Sequence, residues 1–198
     1  MSDVQGQHDD FIRISTPLTH EVIESLRAGD RVLISGIIYT GRDATHRRMF
    51  EDMDKGNGGS GQLPFELVGQ IIYYMGPTPP RPGKVIGAAG PTTSIRMDSF
   101  APRLLDMGLS GMIGKGYRTQ PVIESIKKNK AVYFVAIGGA GALASIAIKE
   151  SVVYAYPELG PEAVYKLEVV DFPVIVANDC VGGDVFVEEV GKYRKYKK

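Results

Sequence analysis

Three cationic side chains follow predicted strands, and each has glycine close by in the chain. Arg42 follows Gly41, Arg96 lies six residues after Gly90, and Lys115 stands between two glycines. Ligand sites of α/β sheets gather at the carboxyl ends of strands, and glycine lets the backbone approach a ligand closely. Each cation taken singly fits a solvated surface charge. The repeated order of strand, glycine and cation instead indicates one site for a small dianion, because arginine pairs with carboxylates through two parallel hydrogen bonds.

Hydroxyl groups lie beside these cations, in Thr92-Thr93-Ser94. Threonine and serine just after a strand are usually caps or turn formers. A hydroxyl becomes a useful base only where its surroundings lower its pKa, for example through cationic neighbours. Arg96 and Lys115 are the residues that could supply such a field.

The elements that must position these groups follow from hydrophobic periodicity and turn residues. Strands and helices alternate through the middle of the chain, and strands dominate its end, which predicts a single layered, mixed α/β domain over residues 11–190. Asp43 is predicted to cap the second helix. Residues 1–10 are expected to form a disordered arm, and residues 191–198 a basic, frayed tail. The predicted helices are 19–27, 44–53, 98–107, 121–128 and 140–149, and the predicted strands are 31–39, 71–75, 84–89, 110–113, 131–137, 152–154, 164–170 and 174–177.

Composition narrows the classes of partner. Twenty-three basic residues balance 23 acidic ones over 198 residues, so nothing in the overall charge indicates nucleic acid or an anionic membrane. The longest apolar run, 131–148, is interrupted by glycines and is shorter than the roughly 20 residues of a spanning helix. The lone cysteine, Cys180, cannot form an internal disulfide or hold a metal cluster by itself. We therefore expect a cytoplasmic protein with no metal site of its own, in which any cluster would need ligands from another polypeptide.

Two glycine-rich segments have alternative interpretations. Residues 54–62 form either a tolerated insertion or a lid over a site. Gly139 to Ala144 fits G-x-G-x-x-A between a strand and a helix, which is a weak dinucleotide fingerprint when it stands this late in a chain. For the second segment we favour close packing of strand and helix, or anion contact by helix amides, over dinucleotide binding.

Together these motifs resemble one family, that of the class I fumarase and L(+)-tartrate dehydratase β subunit, which is equivalent to the C-terminal domain of single-chain class I fumarases. The resemblance covers about residues 15–187. Its most specific string is G-P-T-T-x-x-R-M-D. The matching segments are 35–46 (SGIIYTGRDATH), 90–98 (GPTTSIRMD), 114–116 (GKG), 137–139 (IGG), 158–163 (ELGPEA) and 169–173 (VVDFP).

The resemblance implies a three-layer β/β/α swivelling domain with a mixed sheet. It also implies a partner α subunit whose cysteines carry a 4Fe-4S cluster, in an α2β2 heterotetramer. This chain would then bind one carboxylate of fumarate or malate through Arg42, Arg96 and Lys115. Thr92 would remove the proton from carbon, and the acid would come from the α subunit. The chain alone should be inactive in this hydro-lyase reaction.

Three functions remain open on the sequence. The first is the β subunit of an iron–sulfur fumarate hydratase. The second is the β subunit of L(+)-tartrate dehydratase, which would share every motif quoted. The third is a non-catalytic module that binds a dinucleotide or another anion on the turn from Gly139 to Ala144.

Overall fold

The structure, a computed structural model, describes residues 11–55, 63–136 and 141–188, except for the side chain of Leu143. The expected arm, the tail from residue 191 and most of the glycine-rich segment 54–62 lie outside these residues. The strands are β1 Phe11–Ser15, β2 Arg31–Thr40, β3 Ile71–Tyr73, β4 Gly111–Gly114, β5 Val132–Val135, β6 Ile148–Ala155 and β7 Val164–Asn178. The α-helices are α1 His20–Ser25, α2 Asp43–Asp54, α3 Ala101–Asp106, α4 Gln120–Lys128 and α5 Gly141–Ala147, with 3-10 turns at Ser94–Met97 and Pro157–Glu162.

A single mixed sheet organises the described chain, in the order β1-β2-β3-β4-β5-β7-β6. Strands β1 to β5 pair in parallel, and β7 pairs antiparallel with β5, β6 and β2. The extra pairing of β7 with β2 closes strands β2, β3, β4, β5 and β7 into a ring. A mixed sheet with helices confirms the predicted α/β class.

The short parallel strands β3, β4 and β5 are buried on both faces, as parallel strands usually are. Alternate residues of β3 enter different cores: Ile71 and Tyr73 belong to one apolar cluster, and Ile72 and Tyr74 to the other. Helices α2, α3 and α4 supply apolar side chains to the second cluster, including Met49, Leu104 and Val122. The other cluster is built mainly from β1, β2, β7 and α5. Core packing on both sides therefore fixes where β3 and β4 end.

Most of the predicted elements are confirmed, but four predictions were wrong. No strand was predicted over Phe11–Ser15, where β1 runs parallel to β2. The predicted strand at 84–89 is irregular chain. The helix predicted over 98–107 begins later and is shorter, as α3 at Ala101–Asp106, and a 3-10 turn at Ser94–Met97 precedes it. The two strands predicted at the end form one 15-residue strand, β7, that passes through Pro173.

Proline is tolerated within β7 because of its position. Pro173 pairs with Leu33 of β2, while the other side of β7 pairs with β6 up to Val169 and with β5 from Ile175. Pro173 thus falls in the interval where the outer side of β7 has no strand partner within the described residues. A residue without an amide hydrogen is accommodated at such an edge.

Candidate active site

The carboxyl ends of β2, β3 and β4 meet at one edge of the sheet, because these strands are parallel neighbours. Backbone hydrogen bonds tie the connecting segments together there. Gly41 N–H donates to the Tyr73 carbonyl at 3.1 Å, and Thr92 N–H donates to the Tyr74 carbonyl at 2.6 Å. Lys115 N–H in turn donates to the Thr92 carbonyl at 3.2 Å. The structure therefore brings the segments that carry Arg42, Thr92, Arg96 and Lys115 to the same edge.

Thr92 and Lys115 lie side by side along this edge. Thr93 and Lys115 form a parallel β-bridge, and Ser94 N–H donates to the Lys115 carbonyl at 2.9 Å. Thr92 is partly exposed and Lys115 is exposed. Within the described parts of the chain, the Thr92 hydroxyl and the Lys115 ammonium have no hydrogen-bond or ion-pair partner. Both groups are therefore open to a ligand.

Arg96 is oriented by a carboxylate from α2. Its Nε donates to Asp43 Oδ1 at 2.9 Å. Its Nη2 approaches Asp43 Oδ2 to 2.8 Å, as an ion pair off the hydrogen-bond axis. The prediction that Asp43 caps α2 was wrong, since Arg42 occupies the N-cap position and Asp43 is the first helical residue. The Asp43 side chain instead turns toward Arg96, so that an ion pair links the start of α2 to the segment that carries Arg96.

Arg42 is held between the start of α2 and the 3-10 turn Pro157–Glu162. Its Nη2 lies 3.4 Å from Glu162 Oε1, and both side chains are about three-quarters buried. A Cβ at Gly76 would come within 3.1 Å of Arg42 Nη1, so the missing side chain at position 76 leaves room for the guanidinium. Arg42 N–H also donates to Thr45 Oγ1 at 3.2 Å, which fixes the backbone that carries the arginine.

A third ion pair, more deeply buried than the other two, joins the segments of Arg96 and Lys115. Arg118 Nε donates to Asp98 Oδ1 at 2.7 Å, and the two side chains are 0% and 8% exposed. Asp98 Oδ2 accepts the N–H of Thr119 at 2.7 Å. Since Asp98 follows the 3-10 turn of Arg96, and Arg118 follows Lys115 closely, this pair sets the relative positions of the two segments. Sequence reasoning missed Arg118, because a single arginine past a loop carries no pattern.

The base of the site also contains a hydrogen-bonded tyrosine. Tyr133 OH donates to the Gly116 carbonyl at 2.7 Å and accepts from Ser94 Oγ at 2.8 Å. Burial raises the pKa of Tyr133, so its hydroxyl stays protonated near neutral pH. Tyr133 therefore supports the Ser94 and Gly116 segments from β5 as a neutral donor.

His46 is buried under Arg42. Its Nδ1 lies 2.7 Å from the Arg42 carbonyl, and its exposure is 0%. Burial lowers the pKa of His46 to about 4, although the hydrogen bond to the Arg42 backbone opposes this shift. The imidazole is therefore neutral near pH 7 and donates from Nδ1 to that carbonyl. His46 thus supports the Arg42 backbone and is not positioned as a ligand-facing cation.

Gly141, the first residue of α5, packs against the same region. Ala89 N–H donates to the Gly141 carbonyl at 3.1 Å, and a Cβ at Gly141 would come within 3.0 Å of Gly90 N. Gly141 therefore permits close backbone packing next to the Gly90-Pro91-Thr92 segment. Gly139 itself lies outside the described residues. The contact at Gly141 favours the packing interpretation of the glycine-rich segment 139–144 over dinucleotide binding.

The donor side chains of the described residues do not suit a metal cluster. Cys180 is 9% exposed, and its Sγ lies 3.7 Å from the Ile23 carbonyl. Among residues 11–55, 63–136 and 141–188, no group of three His, Cys, Asp or Glu side chains is placed to hold a metal ion. In the same ranges, no helix combines the length and apolar character needed to cross a membrane.

Comparison with known proteins identifies the family of this chain. The sequence matches the family described as Fumarase C-terminus over residues 2–189. The chain belongs to this family. It is 42% identical to the aerobic class I fumarate hydratase of Escherichia coli K12 over 158 residues, 79% of this chain but 28% of that enzyme. The chain thus spans about three-tenths of the class I fumarate hydratases that it matches.

Family members of similar length carry a subunit name. The chain is 38% identical to the putative L(+)-tartrate dehydratase subunit beta of Methanocaldococcus jannaschii, over 91% of this chain and 93% of that protein. It is 31% identical to the L(+)-tartrate dehydratase subunit beta of Escherichia coli K12, over 88% and 86% of the two chains. The resemblance stated from the motifs is therefore confirmed. Asp43 and Glu162 lie next to the predicted cations Arg96 and Arg42, and motif reasoning gave neither of them a role in the site.

Proposed function

We propose that this chain is the β subunit of an iron–sulfur hydro-lyase that hydrates fumarate to L-malate reversibly. The observation that carries the proposal is the meeting of Arg42, Thr92, Arg96 and Lys115 at one edge of the sheet. Three cations there suit a dicarboxylate, and the family includes class I fumarate hydratases. We further propose that residues 11–190 form one swivelling domain of three layers and that the enzyme is cytoplasmic.

In this proposal the cations bind the carboxylate of the substrate that lies on this subunit. Arg42 and Arg96 offer planar forks that match a carboxylate, and Lys115 offers an ammonium with no partner within the described residues. Negative charge grows on the substrate as the proton leaves carbon. Cations that interact more strongly with that charge than with the ground state lower the barrier.

Thr92 is the proposed base that removes the proton from carbon in the dehydration direction. Its hydroxyl has no hydrogen-bond partner within the described residues, and its backbone is tied to both Tyr74 and Lys115. A threonine hydroxyl becomes basic enough only near positive charge. Lys115, whose N–H donates to the Thr92 carbonyl, and Arg96, four residues after Thr92, are the cations proposed to supply that charge.

The 4Fe-4S cluster is assigned in this proposal to a partner α subunit, because the donors of this chain do not fit it. The partner would also supply the acid that protonates the leaving hydroxyl. The proposed assembly is an α2β2 heterotetramer, and the β chain alone should have no hydration activity. The family members of matching length bear the name "subunit beta", which supports a division into two chains.

L(+)-tartrate is the second candidate substrate. The two tartrate dehydratase subunits match this chain over 86% or more of their own lengths, whereas the E. coli fumarate hydratase is matched over only 28% of its length. Chain architecture thus favours the tartrate enzymes, while sequence identity is higher to the E. coli fumarate hydratase. Malate and tartrate share the same four-carbon dicarboxylate skeleton and differ by one hydroxyl group, so the same cations would bind either one.

An assay of the assembled enzyme tests the proposal. The chain would be mixed anaerobically with a cluster-loaded α subunit from the same source and supplied with fumarate, then with L-tartrate. Malate formation that requires both chains is the expected result, and oxaloacetate from tartrate alone would move the assignment to tartrate dehydratase. No turnover of either substrate by a well-formed complex would refute both.

A variant tests the site itself. Arg96→Ala should reduce kcat/KM strongly without loss of folding, because Arg96 is half exposed and lies outside both apolar cores. Near-normal kinetics in the reconstituted variant would show that the site has been placed wrongly.

A further inference from the structure

We propose that Asp43 and Glu162 are positioning residues, which hold Arg96 and Arg42 in the orientation that receives the substrate carboxylate. This inference rests on the proposed function. Neither carboxylate would touch the substrate in it. Each acts through the arginine that it pairs with.

The pair of Asp43 and Arg96 has the geometry of an orienting contact. Arg96 is 49% exposed, and a long exposed side chain that is not held samples many rotamers. Asp43 binds the Nε and Nη2 edge of the guanidinium at 2.9 and 2.8 Å. Because guanidinium carries five N–H donors, the Nη1 edge stays available for a ligand. The contact therefore fixes the plane of Arg96 without using all of its donors.

Asp43 is itself held rigidly. It is the first residue of α2, and its neighbours Ala44 and Thr45 both bond to Glu162. A carboxylate at a helix N-terminus is also stabilised by the helix dipole. Arg96 is thus oriented from a helix end and not from a loop.

Glu162 does the same for Arg42 from a distant part of the chain. Its Oε2 accepts the N–H of Ala44 at 2.7 Å, and its Oε1 lies 3.4 Å from Arg42 Nη2. Its carbonyl accepts the hydroxyl of Thr45. Arg42 Nε is buried with no hydrogen-bond partner in the described residues. The contact with Glu162 is therefore the polar contact that sets the Arg42 side chain.

Removal of Asp43 or Glu162 has opposite expected effects on kcat/KM, depending on whether charge or positioning dominates, and this makes the proposal testable. Asp43 and Glu162 place two negative charges beside Arg96 and Arg42. Their removal would raise the positive potential of the site and, on charge alone, attract a dianion more strongly. If the carboxylates position the arginines, their removal must instead weaken catalysis. The sign of the change in kcat/KM separates the two effects.

The test uses the assembled two-subunit enzyme with Asp43→Asn and, separately, Glu162→Gln. These changes keep the size of each side chain and remove its charge. Asp106→Asn is the matched control, since Asp106 pairs with the exposed Lys128 at 2.8 Å. It ends α3, shortly before β4 begins, and so lies toward the opposite end of the strands from the site. The substrate is the one that the assembled enzyme turns over, and kcat, KM and the melting temperature are measured for each variant.

We expect each site variant to lower kcat/KM roughly 10- to 100-fold, as small misplacements of binding groups do, with melting temperatures close to that of the control. In an Arg96→Ala background, Asp43→Asn should cause no further loss, because Asp43 acts only through Arg96. A kcat/KM that stays unchanged or rises in both variants would overturn the proposal. So would a further loss in the Arg96→Ala background.

The proposal can fail separately from the function on which it rests. If Arg96→Ala keeps near-normal kinetics, the proposed site is wrong. If Arg96→Ala is crippled while Asp43→Asn and Glu162→Gln are not, the site stands and only the positioning roles fall. Should Asp43→Asn lower the melting temperature markedly, Glu162→Gln decides the matter alone, because it leaves the residues of α2 unchanged.

Discussion

Replacing Arg118 should be among the most destabilising single changes at the base of the site. Arg118→Met keeps an unbranched chain of similar length between the rings of Tyr74 and Tyr133, which lie 5.4 and 4.9 Å from the guanidinium carbon. It leaves the Asp98 side chain, only 8% exposed, with the Thr119 N–H as its hydrogen-bond partner among the described residues. A buried carboxylate without its cation carries an uncompensated desolvation cost.

The magnitude follows from that geometry. Breaking a buried ion pair by removing one partner typically costs about 3–5 kcal/mol. For a domain of this length, 1 kcal/mol corresponds to roughly 2–4 °C in melting temperature, so a fall on the order of 10 °C is expected. The double change Arg118→Met with Asp98→Asn removes both charges, and its amide oxygen can still accept from Thr119. It should therefore recover part of the lost stability.

Urea unfolding of the single chain, followed by circular dichroism, measures these free energies. Lys128→Met is the control, because its pair with Asp106 is exposed and surface pairs contribute little. A loss below about 1 kcal/mol for Arg118→Met would refute the reasoning, since that is the size expected of a solvated pair. A double variant that is no more stable than the single one would also refute it.

Two further predictions concern residues that support the candidate site. Burial lowers the pKa of His46 from 6.5 to about 4, so stability should fall by roughly 3 kcal/mol as the pH drops through that window. His46→Asn should remove this part of the pH dependence in urea titrations, and an unchanged slope would contradict it. Gly114→Ala would place a Cβ over Ser94 Oγ and should lower both the melting temperature and the activity of the assembled enzyme. Adding Ser94→Gly should restore part of both, and full stability of Gly114→Ala alone would rule out the contact.

The local elements of the fold were predictable where sequence patterns act over short distances. The helix at His20–Ser25 begins after Thr19, whose hydroxyl accepts the Val22 N–H at 3.4 Å, and its pattern is complete within eight residues. Strand β2 was predicted because its apolar residues are continuous. By contrast, β1 has only one buried residue, Ile14, so its sequence lacks the apolar run that identifies a strand. It forms because β2 offers it a parallel edge.

The site was predicted in part for the same reason. Arg42 and Lys115 could be found because each stands beside glycine after a predicted strand, and Arg96 because it lies six residues after Gly90 within the most specific motif. Glu162 could not be found this way, since it meets Ala44 across 118 positions of sequence. Asp43 was predicted to cap α2. The sequence at the start of a helix does not show whether an aspartate side chain accepts from the helix backbone or pairs with a distant arginine. Contacts across the fold decide such roles, and no local pattern encodes them.

The pairing of β7 with β2 has a consequence for how the molecule is made. Its contacts are distant in sequence, as in the hydrogen bond from Asp171 N–H to Ser35 Oγ across 136 positions. Folding that depends on such distant pairs is slow, because the loop must close before the contacts form. During synthesis, one side of β2 therefore stays unpaired until the residues of β7 have been translated. Glu162 lies just before β7 and is synthesised equally late. The contact of Glu162 with Arg42 and the pairing of β7 with β2 should therefore form together.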